Sequence, residues 1–181
     1  MTIPEAVRHL LWRDTASLRE AGLPVRWVRE DGVHLTLKFL GEQPATRDSE
    51  IAAALTQVAL RSRPFSMAVQ GLGAFPDCRR PRVIWVGLEP VPALELLQHD
   101  IEETLAGLGF ESEARPFHPH LTLGRSKAGA RRDAFEDLES LLARHPVSGE
   151  IGVEHLVLME SQLTPAGARY RPVREFPLGD G

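Results

Sequence analysis

The chain has one cysteine among its 181 residues, Cys78. A lone thiol closes no intramolecular disulfide and makes a poor metal site. A disulfide-stapled secreted scaffold is therefore excluded, a reducing compartment is expected, and the thiol itself reads as buried or incidental. No apolar run approaches about 18 residues, which excludes a transmembrane helix. "MTIPEAVRHLLWRD" has no basic region leading into an apolar stretch, so no secretory signal is expected and the expected location is cytoplasmic. Positive charge is not in excess, because the formal net charge is −4. A protein that coats long nucleic acid carries a basic surface, since phosphate contacts dominate that affinity. That class is excluded, whereas a small anion or the end of a nucleic acid needs only a few local cations. Low-complexity tracts are absent, as are linkers long enough to separate independent domains.

What is present suits a soluble globular chain. With 43% hydrophobic residues, 181 positions allow one domain or two small, intimately packed lobes. Apolar spacing and Gly22 predict a helix over 4–21, and "VRWV" (25–28) a short strand. "GVHLTLKFL" alternates with period two and predicts a strand over 32–40. A helix over 48–61, a strand over 65–75 and a strand over 82–89 come next, then a helix over 92–108. "HLTLGR" predicts another strand, and 130–144 another helix. "VEHLVLMES" and "ARYRPVREFPL" close the chain as strands around the turn "QLTPAG".

The tetrapeptide His-Leu-Thr-Leu occurs twice, at 34–37 and 120–123. The copies belong to a long repeat. His34 and His120 stand 86 positions apart, and a proline, Pro4 or Pro90, precedes each by 30. In each half a helix leads to the His-x-Thr strand, and a further helix and strand come after it. The second half also has "RVIWVGLE" before its helix. The first half begins where the equivalent strand would end, so a strand is expected to be missing from the first lobe.

On a strand, alternate side chains share a face. His34, Thr36 and Lys38 are expected on one face, with Leu35, Leu37 and Phe39 on the other. His120 and Thr122 stand likewise against Leu121 and Leu123. One such motif usually marks no more than a polar strand face. Two copies related by a pseudo-two-fold bring two imidazoles to opposite sides of one ligand. Imidazole titrates near neutrality, so one can take a proton from water while the other gives one to a leaving oxygen. The threonine hydroxyls can donate to phosphoryl oxygens as charge builds there. This is phosphoester hydrolysis, and the scheme needs neither metal nor cofactor.

"HLTLKFLG" and "PHLTLGR" resemble the RNA 2′,3′-cyclic phosphodiesterase (2′-5′ RNA ligase) family of the 2H phosphoesterases, as do "GLGAFPDCRRPRVIWVGL" between them and "LMESQLTPAGARYRPVREFPL" at the end. The resemblance covers nearly the whole chain. It implies an α+β fold of two pseudo-symmetric lobes, each an antiparallel sheet with outer helices, around a central cleft. The chain would then be one domain over 1–181, with interleaved lobes carrying the motifs at 34–37 and 120–123. The resemblance also implies an enzyme, acting on RNA 3′ ends or small cyclic nucleotides. It would hydrolyse a terminal 2′,3′-cyclic phosphate to a 2′-phosphate, without metal and as a monomer. Some members also join or cleave 2′-5′ linkages. By the same resemblance His34 protonates the departing 3′ oxygen and His120 activates water. Thr36, Thr122 and Arg125 contact the phosphate, and a guanidinium suits two phosphate oxygens. Phe39 matches a position suited to stacking on the terminal base, with core packing as its rival because alternation puts it on the leucine face.

Two other readings compete. One is a binding module that keeps the cleft without turnover. The other is a metallohydrolase built on "HPH" (118–120), against which Pro119 and the want of a further nearby ligand argue, leaving His118 as a rim residue. His9, His99, His145 and His155 read as surface or structural residues. Arg79, Arg80 and Arg82 read as a solvated loop with a capacity to steer an RNA end, and Arg131 and Arg132 as surface.

Overall fold

The structure is a computed structural model that describes residues 1–164 and 167–179. The first predicted helix is two: α1 (Glu5–Asp14) and α2 (Ala16–Glu20). Thr15 separates them. Its hydroxyl donates to the Leu11 carbonyl at 2.6 Å, and a β-branched residue bonding back in this way bends a helix. Next in the chain are β1 (Val25–Trp27), α3 (Asp48–Arg61), β2 (Phe65–Phe75), β3 (Val83–Leu88) and α4 (Pro92–Ala106). β4 (His120–Ser126) carries the second motif. The helix expected over 130–144 divides into a 3₁₀ turn (Arg132–Phe135) and α5 (Leu138–Ala143). β5 (Glu150–Val153), β6 (His155–Thr164) and β7 (Gly167–Pro177) complete the chain. The expected turn at "QLTPAG" includes Pro165 and Ala166, which lie outside the described residues.

The result is the expected α+β arrangement of two antiparallel sheets, though the sheets are unequal. One has five strands in the order β1-β4-β3-β2-β5, and the other is the β6–β7 hairpin. Ile84, Val86 and Leu88 from β3 are buried with Leu121 and Leu123 from β4. These residues form the back of the larger sheet. The helices complete the core with Leu55 and Val58 from α3, Leu94 and Leu97 from α4, and Leu138 from α5.

The first motif departs from the strand expected over 32–40. Only two residues pair: His34 with Thr2, and Leu35 with Leu121. Met1–Ile3 therefore lies where a strand was expected to be missing. The Met1 nitrogen donates to the Leu35 carbonyl at 2.7 Å, and the Leu35 N–H donates to the Met1 carbonyl at 3.1 Å. Beyond Leu35 the alternation fails. Lys38 does not share the His34 face but turns inward to an ion pair with Glu102 on α4 and donates to the Glu111 carbonyl at 2.8 Å. Phe39, freed from the strand pattern, is 73% exposed, which removes core packing as its role.

Candidate active site

The two motifs meet at one antiparallel pair, Leu35 with Leu121, whose side chains are 1% and 0% exposed. In antiparallel register, one step back from Leu35 sets His34 opposite Thr122. The repeat thus crosses itself at two buried leucines.

Both imidazoles are held in the same way. The Nδ1–H of His34 donates to the Gly32 carbonyl at 2.8 Å, and that of His120 to the His118 carbonyl at 2.7 Å. A carbonyl only accepts, so Nδ1 carries the proton and a neutral ring keeps a bare Nε2. In His34 that Nε2 accepts from the Thr36 hydroxyl at 3.2 Å. Each ring also meets an aromatic edge. Tyr170 on β7 lies 4.3 Å from His34, centroid to centroid, and Phe75 on β2 lies 5.0 Å from His120. Phe75 in turn packs at 5.0 Å against Trp85. The indole lies over Gly73, where a Cβ would come within 2.3 Å of its ring, so only glycine fits beneath it.

This packing sets the electrostatics. Both histidines are held below the ordinary value of 6.5, chiefly because burial disfavours the charged ring. The positive charge of Arg125 pushes both further down, as do the terminal amine at His34 and His118 at His120.

Arg125 reaches this face because of a β-bulge. Strict alternation along β4 would put it with Leu121 and Leu123. Opposite β4, however, Trp85 pairs with Thr122 and the adjacent Ile84 pairs with Gly124, so Leu123 is an extra residue. An extra residue shifts the phase of the strand and re-aims the side chains beyond it. Arg125 accordingly is exposed while Leu121, Leu123 and Gly124 are buried, and its charge is felt by both histidines.

Arg26 on β1 pairs directly with Arg125. Like charges opposite one another on a sheet are unfavourable. Neither guanidinium meets a carboxylate within salt-bridge distance among the described residues. A guanidinium whose charge is felt by two imidazoles, with a second guanidinium paired opposite it, suits an anion. The sequence alone did not single out Arg26, Phe75 or Tyr170. The only signal for Arg26 was a cation on the polar side of "VRWV", a feature shared by many solvated strands.

Of the residues expected from sequence, the structure gathers His34, Thr36, His120, Thr122 and Arg125. Phe39 is exposed on the unpaired stretch after Thr36. His118 is exposed and offers its carbonyl to His120. The remaining histidines lie elsewhere: His9 beside Glu30 at 3.3 Å, His145 beside Ser17 at 2.6 Å, and His99 and His155 exposed. Among the described residues no three His, Cys, Asp or Glu side chains cluster as a metal-ion site, and no helix is long and apolar enough to cross a membrane.

Residues 8–165 match the sequence model of the 2′-5′ RNA ligase superfamily. A Geobacillus stearothermophilus protein named RNA 2′,3′-cyclic phosphodiesterase is 37% identical over 161 residues, covering 87% of this chain and 49% of that protein. The chain thus spans about half the length of that relative. A Methanothermobacter thermautotrophicus protein of the same name is 32% identical over 176 residues, covering 97% of this chain and 95% of its own. Among solved structures, the Thermus thermophilus protein TT0787 superposes with a TM-score of 0.82 at 29% identity, covering 99% of this chain and 96% of its own. Escherichia coli LigT complexed with 3′-AMP gives 0.76 at 26% identity, covering 98% and 94%.

Proposed function

The chain belongs to the 2′-5′ RNA ligase superfamily, and we propose that it is an enzyme that hydrolyses 2′,3′-cyclic phosphates at RNA 3′ ends or on nucleosides, leaving a 2′-phosphate. The observation that carries this reading is the crossed pair of His-x-Thr motifs, each ring locked by a carbonyl at Nδ1 with Nε2 left to exchange a proton. His120 takes a proton from water through Nε2 as the water oxygen attacks phosphorus. The bond from phosphorus to the 3′ oxygen breaks, and protonated His34 delivers its Nε2 proton to that oxygen. Thr36 and Thr122 donate to the equatorial oxygens, where charge accumulates, and Arg125 and Arg26 neutralise it. The proton given by His34 equals the one taken by His120, so one turnover leaves the protonation states exchanged and a proton transfer through solvent resets them. Phe39, exposed on the segment after Thr36, is available to stack on the terminal base.

Relatives named RNA 2′,3′-cyclic phosphodiesterase and a LigT structure holding 3′-AMP support the same substrate class. The test is product analysis on an RNA ending in a 2′,3′-cyclic phosphate, with EDTA present. Undiminished hydrolysis yielding only a 2′-phosphate end is expected. A 3′-phosphate product overturns the leaving-group assignment, and loss of activity on chelation revives the metal reading of His118 and His120.

The depressed histidines predict the pH profile. One ring must be neutral and the other charged, so kcat/KM is bell-shaped and peaks between the two macroscopic pKa values of the free enzyme. Both values lie below 6.5, so the peak falls below pH 6.5. A bound anionic phosphate favours the charged ring, so the kcat profile peaks at higher pH than that of kcat/KM. Stability obeys the same linkage. A lowered folded value costs nothing above pH 6.5, where both states are neutral. As pH falls from 6.5 toward the folded values the unfolded chain binds more protons than the folded one, so stability declines through that window and levels off below it. A kcat/KM peak above pH 7 would contradict the burial of the imidazoles.

A further inference from the structure

The arginines between β2 and β3 take no part in the site just described, nor do the cations beyond β4. The fold draws them together. Arg79, Arg80, Arg82, Lys127 and Arg132 line one cavity of about 340 Å³ at the end of β3 and β4 remote from His120. All five side chains are exposed, and the cavity rests on buried Pro81 and Phe135. Its walls are fixed. The Ser126 hydroxyl donates to the Pro81 carbonyl at 2.5 Å, the Ser126 N–H to the Arg82 carbonyl at 3.1 Å, and the Lys127 N–H to the Pro24 carbonyl at 2.8 Å.

The neighbouring carboxylates form no salt bridge with these five side chains among the described residues. Asp77 accepts the backbone N–H groups of Arg79 and Arg80 at 2.8 and 2.9 Å, and Asp133 pairs with Arg131 at 2.8 Å. Glu139 lines an adjacent cavity with Arg79 without reaching salt-bridge distance. Five cations thus converge without a carboxylate partner among the described residues, in a chain whose net charge is −4. Such a concentration of one sign raises the local density of an opposite polyelectrolyte.

Resting on the proposed hydrolysis of RNA ends, we infer that this cavity is a second binding site for the substrate, one that holds backbone phosphates of RNA upstream of the 3′ end. From His120 to Lys127 the strand runs on the order of 20 Å. A single nucleotide does not reach from the histidines to the cavity, and an oligonucleotide does. The preferred substrate is therefore an RNA several nucleotides long, rather than a free cyclic nucleotide.

The test compares wild type with the double variant Arg80→Glu/Arg132→Glu, using two substrates: a nucleoside 2′,3′-cyclic phosphate, and an oligoribonucleotide with the same terminus that is long enough to span the distance. Both side chains are exposed, so an unchanged melting temperature is expected. On the oligonucleotide, KM rises roughly tenfold or more, and the log–log salt dependence of binding shallows by about 1.4 for two lost single-strand phosphate contacts. On the mononucleotide neither kcat nor KM changes. Arg80→Lys/Arg132→Lys restores the oligonucleotide KM. Equal losses on both substrates, or no loss on either, overturn the second site. Binding of an RNA ending in a 2′-phosphate, read by fluorescence anisotropy, tests the cavity without turnover. If wild type hydrolyses neither substrate but the glutamate variant still binds this RNA more weakly, the reaction fails and the cavity stands. If the variant binds as wild type does, the cations serve another anion and the inference fails.

Discussion

Replacing either His34 or His120 with alanine is expected to lower kcat on a 2′,3′-cyclic nucleotide by about 10²–10⁴-fold, the usual contribution of a positioned general acid or base. The two losses should be similar in size, because the site treats the rings alike. Each has its Nδ1 proton on the carbonyl two residues before it, each meets an aromatic edge, and each is depressed chiefly by burial. The double variant should lose much less than the product of the single losses, since groups that act as a unit are not additive. The pH profiles separate the roles. Removing the base abolishes the acid limb of the kcat/KM bell, and removing the acid abolishes the alkaline limb. Asn in place of His34 keeps a polar side chain of similar size without proton transfer, and should be as inactive as Ala. Steady-state kinetics on the four proteins, with melting temperatures as a folding control, measures all of this. Full turnover in either alanine variant excludes the two-histidine mechanism.

The residues that meet at this candidate site were legible from sequence because their signal is local. His-x-Thr between leucines specifies which side chains face outward within four residues, and writing it twice at matched repeat positions specifies that two such faces meet. The features that stayed illegible depend on partners distant in sequence. Leu123 is an extra residue only because β3 lacks an opposite for it, yet that bulge decides which face Arg125 takes. Arg26 matters because it pairs with a residue about a hundred positions away. The break at Thr15 was hidden by an apolar spacing that runs straight through it. The period-two alternation of "GVHLTLKFL" fits a full strand, but Leu35 is the last residue to find a pairing partner. Beyond that point side-chain anchors, rather than a hydrogen-bonded ladder, decide where Lys38 and Phe39 go.

The strongest of those anchors sets the second expectation: Lys38→Ala should destabilise the fold by about 3–5 kcal/mol, the cost of leaving one partner of a buried ion pair alone. The Lys38 and Glu102 side chains are 4% and 12% exposed, so water does little to compensate the remaining carboxylate. Glu102 also serves as an acceptor hub. Gln98 donates to its Oε1 at 3.2 Å, and the Glu113 N–H to its Oε2 at 3.4 Å. Lys38 thus ties the stretch after the first motif to α4 and to the loop that leads into the second. For a chain of this length each kcal/mol moves the melting temperature by roughly 2–4 °C, which predicts a fall on the order of 6–20 °C. Glu102→Gln should cost less than Lys38→Ala, because the amide still accepts hydrogen bonds and leaves the ammonium near the Glu111 carbonyl. Lys38→Met combined with Glu102→Leu removes both charges and fills the space, so it should recover most of the lost stability, as apolar replacement of a whole buried pair often does. Thermal and urea unfolding monitored by circular dichroism give the four values. A melting temperature within a degree or two of wild type for Lys38→Ala would show that the first motif is held by its pairing with Met1–Ile3 and Leu121 without this ion pair.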